Sequence, residues 1–244
     1  MNYTYLDCLV SFGVGGAHPG GLQLTKSILS REYIDQEKSI LDVGCGTGQT
    51  SAYIAEKYRC SITSLDSNNI MLVKAKQRFS SLNLPINVIY RSAENLPFIN
   101  GLFDFILSES VTSFTDIPLT IQEFKRVLKP NGVLLAIEMV LEDSLSKEEL
   151  KTIVDFYGVS QLLTGLEWYN LFQKAGFKQI NVEKFKQQFD KNDIDTATDF
   201  LVSENIDDKL LEILEKHEHL IKTYKDKLGF YIFRCCFYHD SGTE

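Results

Sequence analysis

The run Ile40-Leu41-Asp42-Val43-Gly44-Cys45-Gly46-Thr47-Gly48-Gln49, with Asp66 closing a second apolar run, restricts the fold more than any other stretch. A compact apolar segment ending in an acid, then glycines at alternate positions, then a helical pattern, reads as strand, tight turn and helix. Glycine takes positive φ without a Cβ penalty and lets a ligand approach the main chain closely. A turn of this kind, at a helix N-terminus outside the carboxyl end of a strand, suits a nucleotide-like ligand lying against backbone. Asp66 ends the strand Ile62-Thr63-Ser64-Leu65, where a carboxylate can accept hydrogen bonds from both hydroxyls of a ribose. The ligand expected is a nucleoside.

Glycine spacing narrows the choice. The dinucleotide fingerprint is G-x-G-x-x-G, whereas here the glycines stand at 44, 46 and 48 and Gln49 fills the position of the third fingerprint glycine. Asp42-Val43-Gly44-Cys45-Gly46-Thr47-Gly48 instead resembles the first motif of class I S-adenosylmethionine (SAM)-dependent methyltransferases. An acid before the glycines suits a cationic ligand better than a diphosphate. The resemblance implies cofactor contacts at Asp42, Gly44, Cys45 and Gly46, and at Asp66 and Ser67 after the second strand. The plain alternative is a glycine-rich turn with no ligand.

Further along, Arg91-Ser92-Ala93-Glu94-Asn95-Leu96-Pro97-Phe98 resembles the third motif of that family, in which the Ala93 main chain and the Glu94 carboxylate meet the adenine edge. A carboxylate can accept from the exocyclic amine. Met71, one turn after Asp66, stands where relatives place an apolar residue beside adenine, although a helical Met more often fills core. Phe103 to Ser108 is a buried parallel strand, nearly continuous in apolar character. It delivers Ser108, Glu109 and Ser110 to the ligand face, Ser108 aligning with a residue near the methionine part of SAM. Ser108-Glu109-Ser110-Val111 stands where many methyltransferases of exocyclic or amide nitrogens carry an Asn/Asp-Pro-Pro-aromatic tetrad, which argues against DNA amino-methylation and glutamine N-methylation.

The rest of the pattern is architectural. Gly13 to Gly21, seven residues of which surround His18-Pro19, is a loop of unusual backbone freedom, and a helix is expected over Thr25 to Ile34. Helices are expected over Gln49 to Tyr58, over Asn69 to Leu82 with Ile70, Val73, Ala75 and Phe79 inward, and over Asp116 to Leu128. Lys129-Pro130-Asn131-Gly132 stops that last helix before a strand to Val140. Ser146-Lys147-Glu148-Glu149 is a capping box. Then follow a helix from Leu166 to Ala175, a strand from Lys178 to Lys186, and a helix from Asp207 to Lys227 striped by Leu210, Leu211, Leu214, His217 or Glu218, and Ile221. His217 and His219 read as helix surface. A final apolar strand, Phe230 to Tyr238, puts Cys235 and Cys236 on opposite faces.

A formal charge of −8 gives no electrostatic support for nucleic acid or an anionic membrane as partner. Five scattered cysteines without paired spacing argue against a disulfide framework and a zinc site, so no metal is expected. No signal peptide opens the chain, no apolar run approaches a membrane helix, and a reducing cytoplasm is expected.

The expected fold is α/β, Rossmann-like and doubly wound: a mostly parallel seven-stranded sheet with an antiparallel C-terminal strand and an N-terminal helical lid. The expected organisation is one domain over 1–244, with a lid at 1–38, a SAM-binding half at 39–140 and an acceptor-side half at 141–244. The function expected from the resemblance is transfer of the methyl group of SAM to O, N or C of a small-molecule acceptor, by a monomer or homodimer. Glu109, His18 and Glu138 are the candidate bases, and Tyr3, Tyr5, Trp168 and Tyr169 candidate aromatic walls. A SAM-binding protein without transferase activity and an NAD-dependent oxidoreductase are the alternatives.

Overall fold

The computed structural model describes residues 3–185, 199–203 and 206–237. From the N-terminus the elements are α1 (Tyr5–Phe12), β1 (Val14–Gly15), α2 (Gly21–Leu29), β2 (Ser39–Val43), α3 (Gln49–Tyr58), β3 (Ser61–Asp66), α4 (Asn69–Ser81) and β4 (Asn87–Tyr90). There follow β5 (Phe103–Glu109), a 3-10 turn (Thr112–Phe114), α5 (Ile117–Val127), β6 (Leu128–Leu141), α6 (Lys147–Tyr157) and α7 (Gly165–Ala175). The described chain ends with β7 (Gln179–Lys184), β8 (Asp199–Phe200), α8 (Asp208–Thr223) and β9 (Leu228–Cys236).

Seven strands form one sheet in the order β4-β3-β2-β5-β6-β9-β7. The first five are parallel to their neighbours, and β9 runs antiparallel to both β6 and β7. The winding reverses between β2 and β5, so a crevice opens at their carboxyl ends, the place where open α/β sheets bind ligands. This is the Rossmann-like, doubly wound α/β fold expected, with its antiparallel strand near the edge.

Both faces of the sheet are covered, which is why its central strands read as apolar runs. On one face Phe124, Trp168, Phe172 and Phe177 pack against Leu41, Ile106 and Leu134. On the other, Leu24, Ile28 and Leu29 of α2 and Ile54 of α3 pack against Ile40, Phe105 and Leu135. Cys235 belongs to the first layer and Cys236 to the second, so the pair does face opposite ways, and all five thiols are free. The capping box at Ser146 and Glu149 forms as expected.

Several helix faces differ from the sequence reading. Helix α2 covers Gly21–Leu29, not 25–34. In α4, Ile70 and Val73 point outward, 54% and 46% exposed, while Met71, Leu72, Ala75 and Phe79 face in. In α8 the inward stripe is Leu210 and Leu220; Leu211 and Ile221 are exposed. His217 is not surface: it is half-buried, with Nδ1 3.1 Å from Tyr157 Oη and its ring 4.9 Å from that of Tyr5. His219 is exposed as expected. Helix α1, opened by a Thr4–Asp7 capping box, lies in the expected helical lid, where the sequence reading placed a helix only over Thr25 to Ile34. Lys186 and Tyr238, the expected ends of two strands, lie outside the described residues.

Candidate active site

The glycine turn joins β2 to α3, with Gly44, Gly46 and Gly48 at φ +69°, +52° and +76°. The Gly44 and Cys45 N–H groups donate to Leu65 O at 2.7 and 3.0 Å, fastening the turn to β3. Asp66 shapes it further: Gly46 N donates to Oδ2 at 2.9 Å and Asn68 N to Oδ1 at 2.7 Å. Two of the glycines have different reasons. A Cβ at Gly44 would collide with Val111, whereas a Cβ at Gly46 would meet nothing within 4 Å. The turn therefore presents open space beside the Asp66 carboxylate.

Three carboxyls converge here. Asp42 is buried and accepts from Ser51 Oγ. Burial first, and the charge of Glu109 second, push its pKa up to about 7, Asp66 adding a smaller push and the Ser51 hydrogen bond opposing them. Burial also raises Asp66, against N–H groups of Asn68, Gly46 and Ser67. Such a set, desolvated and of one sign, favours an added cation. Cys45 is buried and its thiol is pushed high by burial, so it is a small apolar filler of the turn.

Glu109, at the end of β5, is where the N-terminal segment meets the core. It accepts from Thr25 Oγ1 of α2 at 2.6 Å and from Thr50 Oγ1 of α3 at 2.9 Å. His18 is 7% exposed, with Nε2 3.4 Å from Glu109 Oε2 and 3.3 Å from Thr25 Oγ1, and Nδ1 3.3 Å from Pro19 O. Two of the three candidate bases are thus brought together. The sequence reading missed Thr25 and Thr50; only their positions beside the glycine loops could have signalled them.

Helix α4 latches the same segment from outside. Lys74 Nζ donates to Val10 O at 3.0 Å, to Leu201 O and to Ser203 Oγ at 3.1 Å. Arg78 Nε donates to Thr47 O at 2.8 Å, and its guanidinium pairs with Asp199. Asp199 lies in β8, which pairs antiparallel with β1 through Val14↔Phe200 and Gly15↔Asp199. This two-strand strap rests on the turn: a Cβ at Gly15 would stand 3.1 Å from Gln49 Oε1 and from Thr47 Oγ1.

The third candidate base goes elsewhere. Glu138 is fully buried in β6, Oε1 accepting from Thr112 N at 3.0 Å and Oε2 from Ser113 N at 3.3 Å and Ser113 Oγ at 2.7 Å. Burial raises its pKa to about 7 in spite of those hydrogen bonds. These bonds brace the 3-10 turn. Ser108 is buried, its Oγ 2.9 Å from Thr112 Oγ1. Met71 and Ala93 are buried, and Ser67 is exposed at the end of β3. Glu94 Oε1 accepts from Asp116 N at 2.6 Å and Oε2 from Ser92 Oγ at 2.9 Å, so it also caps α5. Among the described residues no group of three or more His, Cys, Asp or Glu could hold a metal ion.

Of the aromatic walls, Trp168 is corrected. It is fully buried, 5.9 Å from Phe172 between ring centroids, and its Nε1 donates to Met139 O at 3.1 Å. Tyr169 is half-buried on the same helix. Tyr3 and Tyr5 line a cavity of about 270 Å³ between α1, α6 and α8, with Phe156, Asp155 and Lys216; none of the residues lining it belongs to the glycine turn. Among the described residues no helix is long and apolar enough to cross a membrane.

Comparison with known proteins agrees with this geometry. Residues 40–132, from β2 into the start of β6, match a family model described as a methyltransferase domain. An uncharacterized methyltransferase, YodH, of Bacillus subtilis (strain 168) is 38% identical over 229 residues, 94% of this chain and 97% of the relative. Among solved structures, Haemonchus contortus phosphoethanolamine N-methyltransferase 2 in complex with S-adenosyl-L-methionine superposes with TM-score 0.77 at 21% identity. That match covers 97% of this chain but 58% of the nematode protein. A putative sarcosine dimethylglycine methyltransferase from Galdieria sulphuraria superposes with TM-score 0.72 at 19% identity, over 88% of this chain and 83% of the other. The oxidoreductase alternative is thereby set aside. With a strand-turn-helix of this spacing, an acid at the end of the next strand and a relative matched along nearly its whole length, the chain belongs to the class I SAM-dependent methyltransferases and is an enzyme whose methyl donor is SAM.

Proposed function

We propose that the enzyme methylates a small-molecule acceptor at O, N or C, with SAM lying against the Gly44–Gly48 turn. Its ribose lies toward Asp66 and Ser67, its adenine among Met71, Ala93 and Glu94, and its cationic methionine end beside Asp42, Cys45, Ser108 and Glu109. The observation that carries this reading is the open space at Gly46 beside Asp66, a cradle that a single Cβ would enter. The three neighbouring carboxyls suit a donor that carries a sulfonium and an ammonium group.

When bound, SAM supplies an activated methyl group. The chain's own residues then have three tasks: to align the acceptor, to exclude water and to take a proton where the acceptor must lose one. Alignment falls to the turn and to the carboxyl end of β5. Exclusion of water falls to the lid, residues 1–38, drawn down on Glu109 by Thr25 and His18. The pair Glu109–His18 is the base proposed, since its atoms sit in the crevice while Glu138 is committed to the 3-10 turn. The acceptor enters between the lid and the 141–244 half, the whole chain serving as one unit in the cytoplasm.

Calorimetric titration with S-adenosylhomocysteine and, separately, with NADH tests the cofactor site. Binding of the first and not the second is expected, with Asp66→Ala weakening it by about 1–3 kcal/mol, the range for hydrogen bonds to a charged group. Unchanged affinity in that variant overturns the ribose assignment. Incubation with methyl-labelled SAM and the low-molecular-weight fraction of a bacterial extract tests the acceptor class; label found only in macromolecules would refute it.

A further inference from the structure

The cavity between α1, α6 and α8 has no part in the site described above. Tyr3, Tyr5, Phe156 and Ile213 give it an apolar lining, and Asp155 and Lys216 are its charged groups. Its volume of about 270 Å³ is close to the lower end of small-molecule sites. Its walls are fixed by packing. Cys8 of α1 is fully buried, with Sγ 3.6 Å from Leu210 O of α8. The Tyr5 ring lies 4.9 Å from the Tyr157 ring of α6 and 4.9 Å from the His217 ring of α8. The space is thus built into the docked helices, as preformed ligand sites are.

The polar groups around it differ in what they still have to give. Asp155 is paired with Lys151. Asp207 accepts from the Tyr3 phenol and from Lys209 N, and Asp7 is taken up by the Thr4 cap. Tyr157 Oη is bonded to His217. Two groups are uncommitted. Among the described residues Lys216 has no carboxylate partner, and its Nζ stands 5.1 Å from the centre of the Phe156 ring. The Tyr5 hydroxyl likewise has no bonding partner among the described residues. Burial pushes the Tyr5 pKa up to about 12, so it stays a neutral phenol able to donate.

An ammonium and a phenol, both donors, beside aromatic faces call for one chemistry. They suit the two oxygens of a carboxylate better than a phosphate, whose second charge would find no partner. The rings suit a flat apolar body. A cationic ligand would instead compete with Lys216 for the Phe156 face. We propose that this cavity is a second ligand site, for a small aromatic carboxylate. The body lies among Tyr3, Phe156 and Ile213, the carboxylate accepts from Lys216 Nζ and Tyr5 Oη, and occupancy pins α1 to α6 and α8. None of the lining residues belongs to the glycine turn or to β5, so the site is independent of the methyl-donor placement.

The test uses the full chain and 2-naphthoate, followed by fluorescence anisotropy. Naphthoate is expected to bind at millimolar concentration or below, and saturating S-adenosylhomocysteine is expected not to displace it. The cation 2-naphthylmethylammonium, with the same rings, is expected to bind at least tenfold more weakly. Tyr5→Phe, which keeps the ring and its packing, and Lys216→Gln should each weaken naphthoate at least threefold. Hydrogen exchange of the α1 amides should slow when naphthoate is added. No binding at millimolar concentration overturns the inference, as does an ammonium affinity equal to that of naphthoate or an unchanged affinity in either variant. Displacement by S-adenosylhomocysteine would put naphthoate in the donor crevice and overturns it too. Exchange in α1 that does not slow overturns the pinning.

Discussion

Asp42 ties cofactor binding to protons. In the free protein burial and the Glu109 charge hold its pKa at about 7, against an ordinary 3.8. A cation placed beside it favours the ionised form, and full reversal of the shift, about three pH units, corresponds to roughly 4 kcal/mol of coupling. At pH 6 about nine in ten Asp42 side chains carry a proton in the free protein, and at pH 8.5 roughly one in thirty. SAM binding is therefore expected to release about 0.9 proton at pH 6 and almost none at pH 8.5, with affinity rising up to about tenfold per unit of pH below 7 and levelling above it. Calorimetry in buffers of different ionisation enthalpy measures that number directly. Asp42→Asn is expected to abolish the release at pH 6 and to flatten the pH dependence. Proton release that is equal at the two pH values, or that survives in Asp42→Asn, would show that the cationic end of SAM lies elsewhere.

Asp42 and a second buried acid, Glu138, also make the stability of the free protein depend on pH. Asp42 and Glu138 have raised pKa values, so the unfolded chain binds fewer protons than the native one between about pH 4 and 7. Their contribution to stability falls as pH rises through that window and is flat above it; a melting temperature that climbs steadily from pH 5.5 to 7.5 without ligand would contradict this. Glu138→Ala leaves Thr112 N, Ser113 N and Ser113 Oγ without their partner and is expected to cost about 2–4 kcal/mol, read by denaturant unfolding. Gly46→Ala adds a Cβ that meets no protein atom, so it should cost only about 1 kcal/mol of stability through its positive φ yet lower SAM affinity far more. Equal small losses in both would mean that nothing binds there. Arg78→Ala removes the anchor of β8 and the bond to Thr47 O, and is expected to speed protease cleavage within residues 5–20.

What was legible in the sequence was local. The glycine turn, Asp66, the central strand runs and the Ser146 cap are each decided by a few adjacent residues and stand where they were expected, whereas Lys129 to Gly132, expected as a turn, lies inside β6 and the last strand begins at Leu228. Helix faces were harder. Helix α4 has apolar residues at 70, 71, 72 and 73, and two stripes are compatible with that pattern; the sheet selects Met71, Leu72 and Ala75. Long-range polar pairings were invisible. Lys74 reads as a surface lysine but is 8% exposed and bonded to carbonyls at Val10 and Leu201, and His217 finds Tyr157 sixty residues away. Glu138 looked like a strand-end acid for catalysis because sequence shows that a carboxyl is near the crevice but not which way its oxygens face.

The strap has a kinetic consequence. Helix α4 carries both Met71 of the proposed adenine pocket and the two cations that tie down α1 and the β8 segment. With the proposed donor placement, exchange of spent donor for fresh is expected to require that the two-residue ladder and the Arg78–Asp199 pair come apart. Dwell time of the by-product, and with it the ceiling on turnover, would answer to ionic strength even though methyl transfer itself does not.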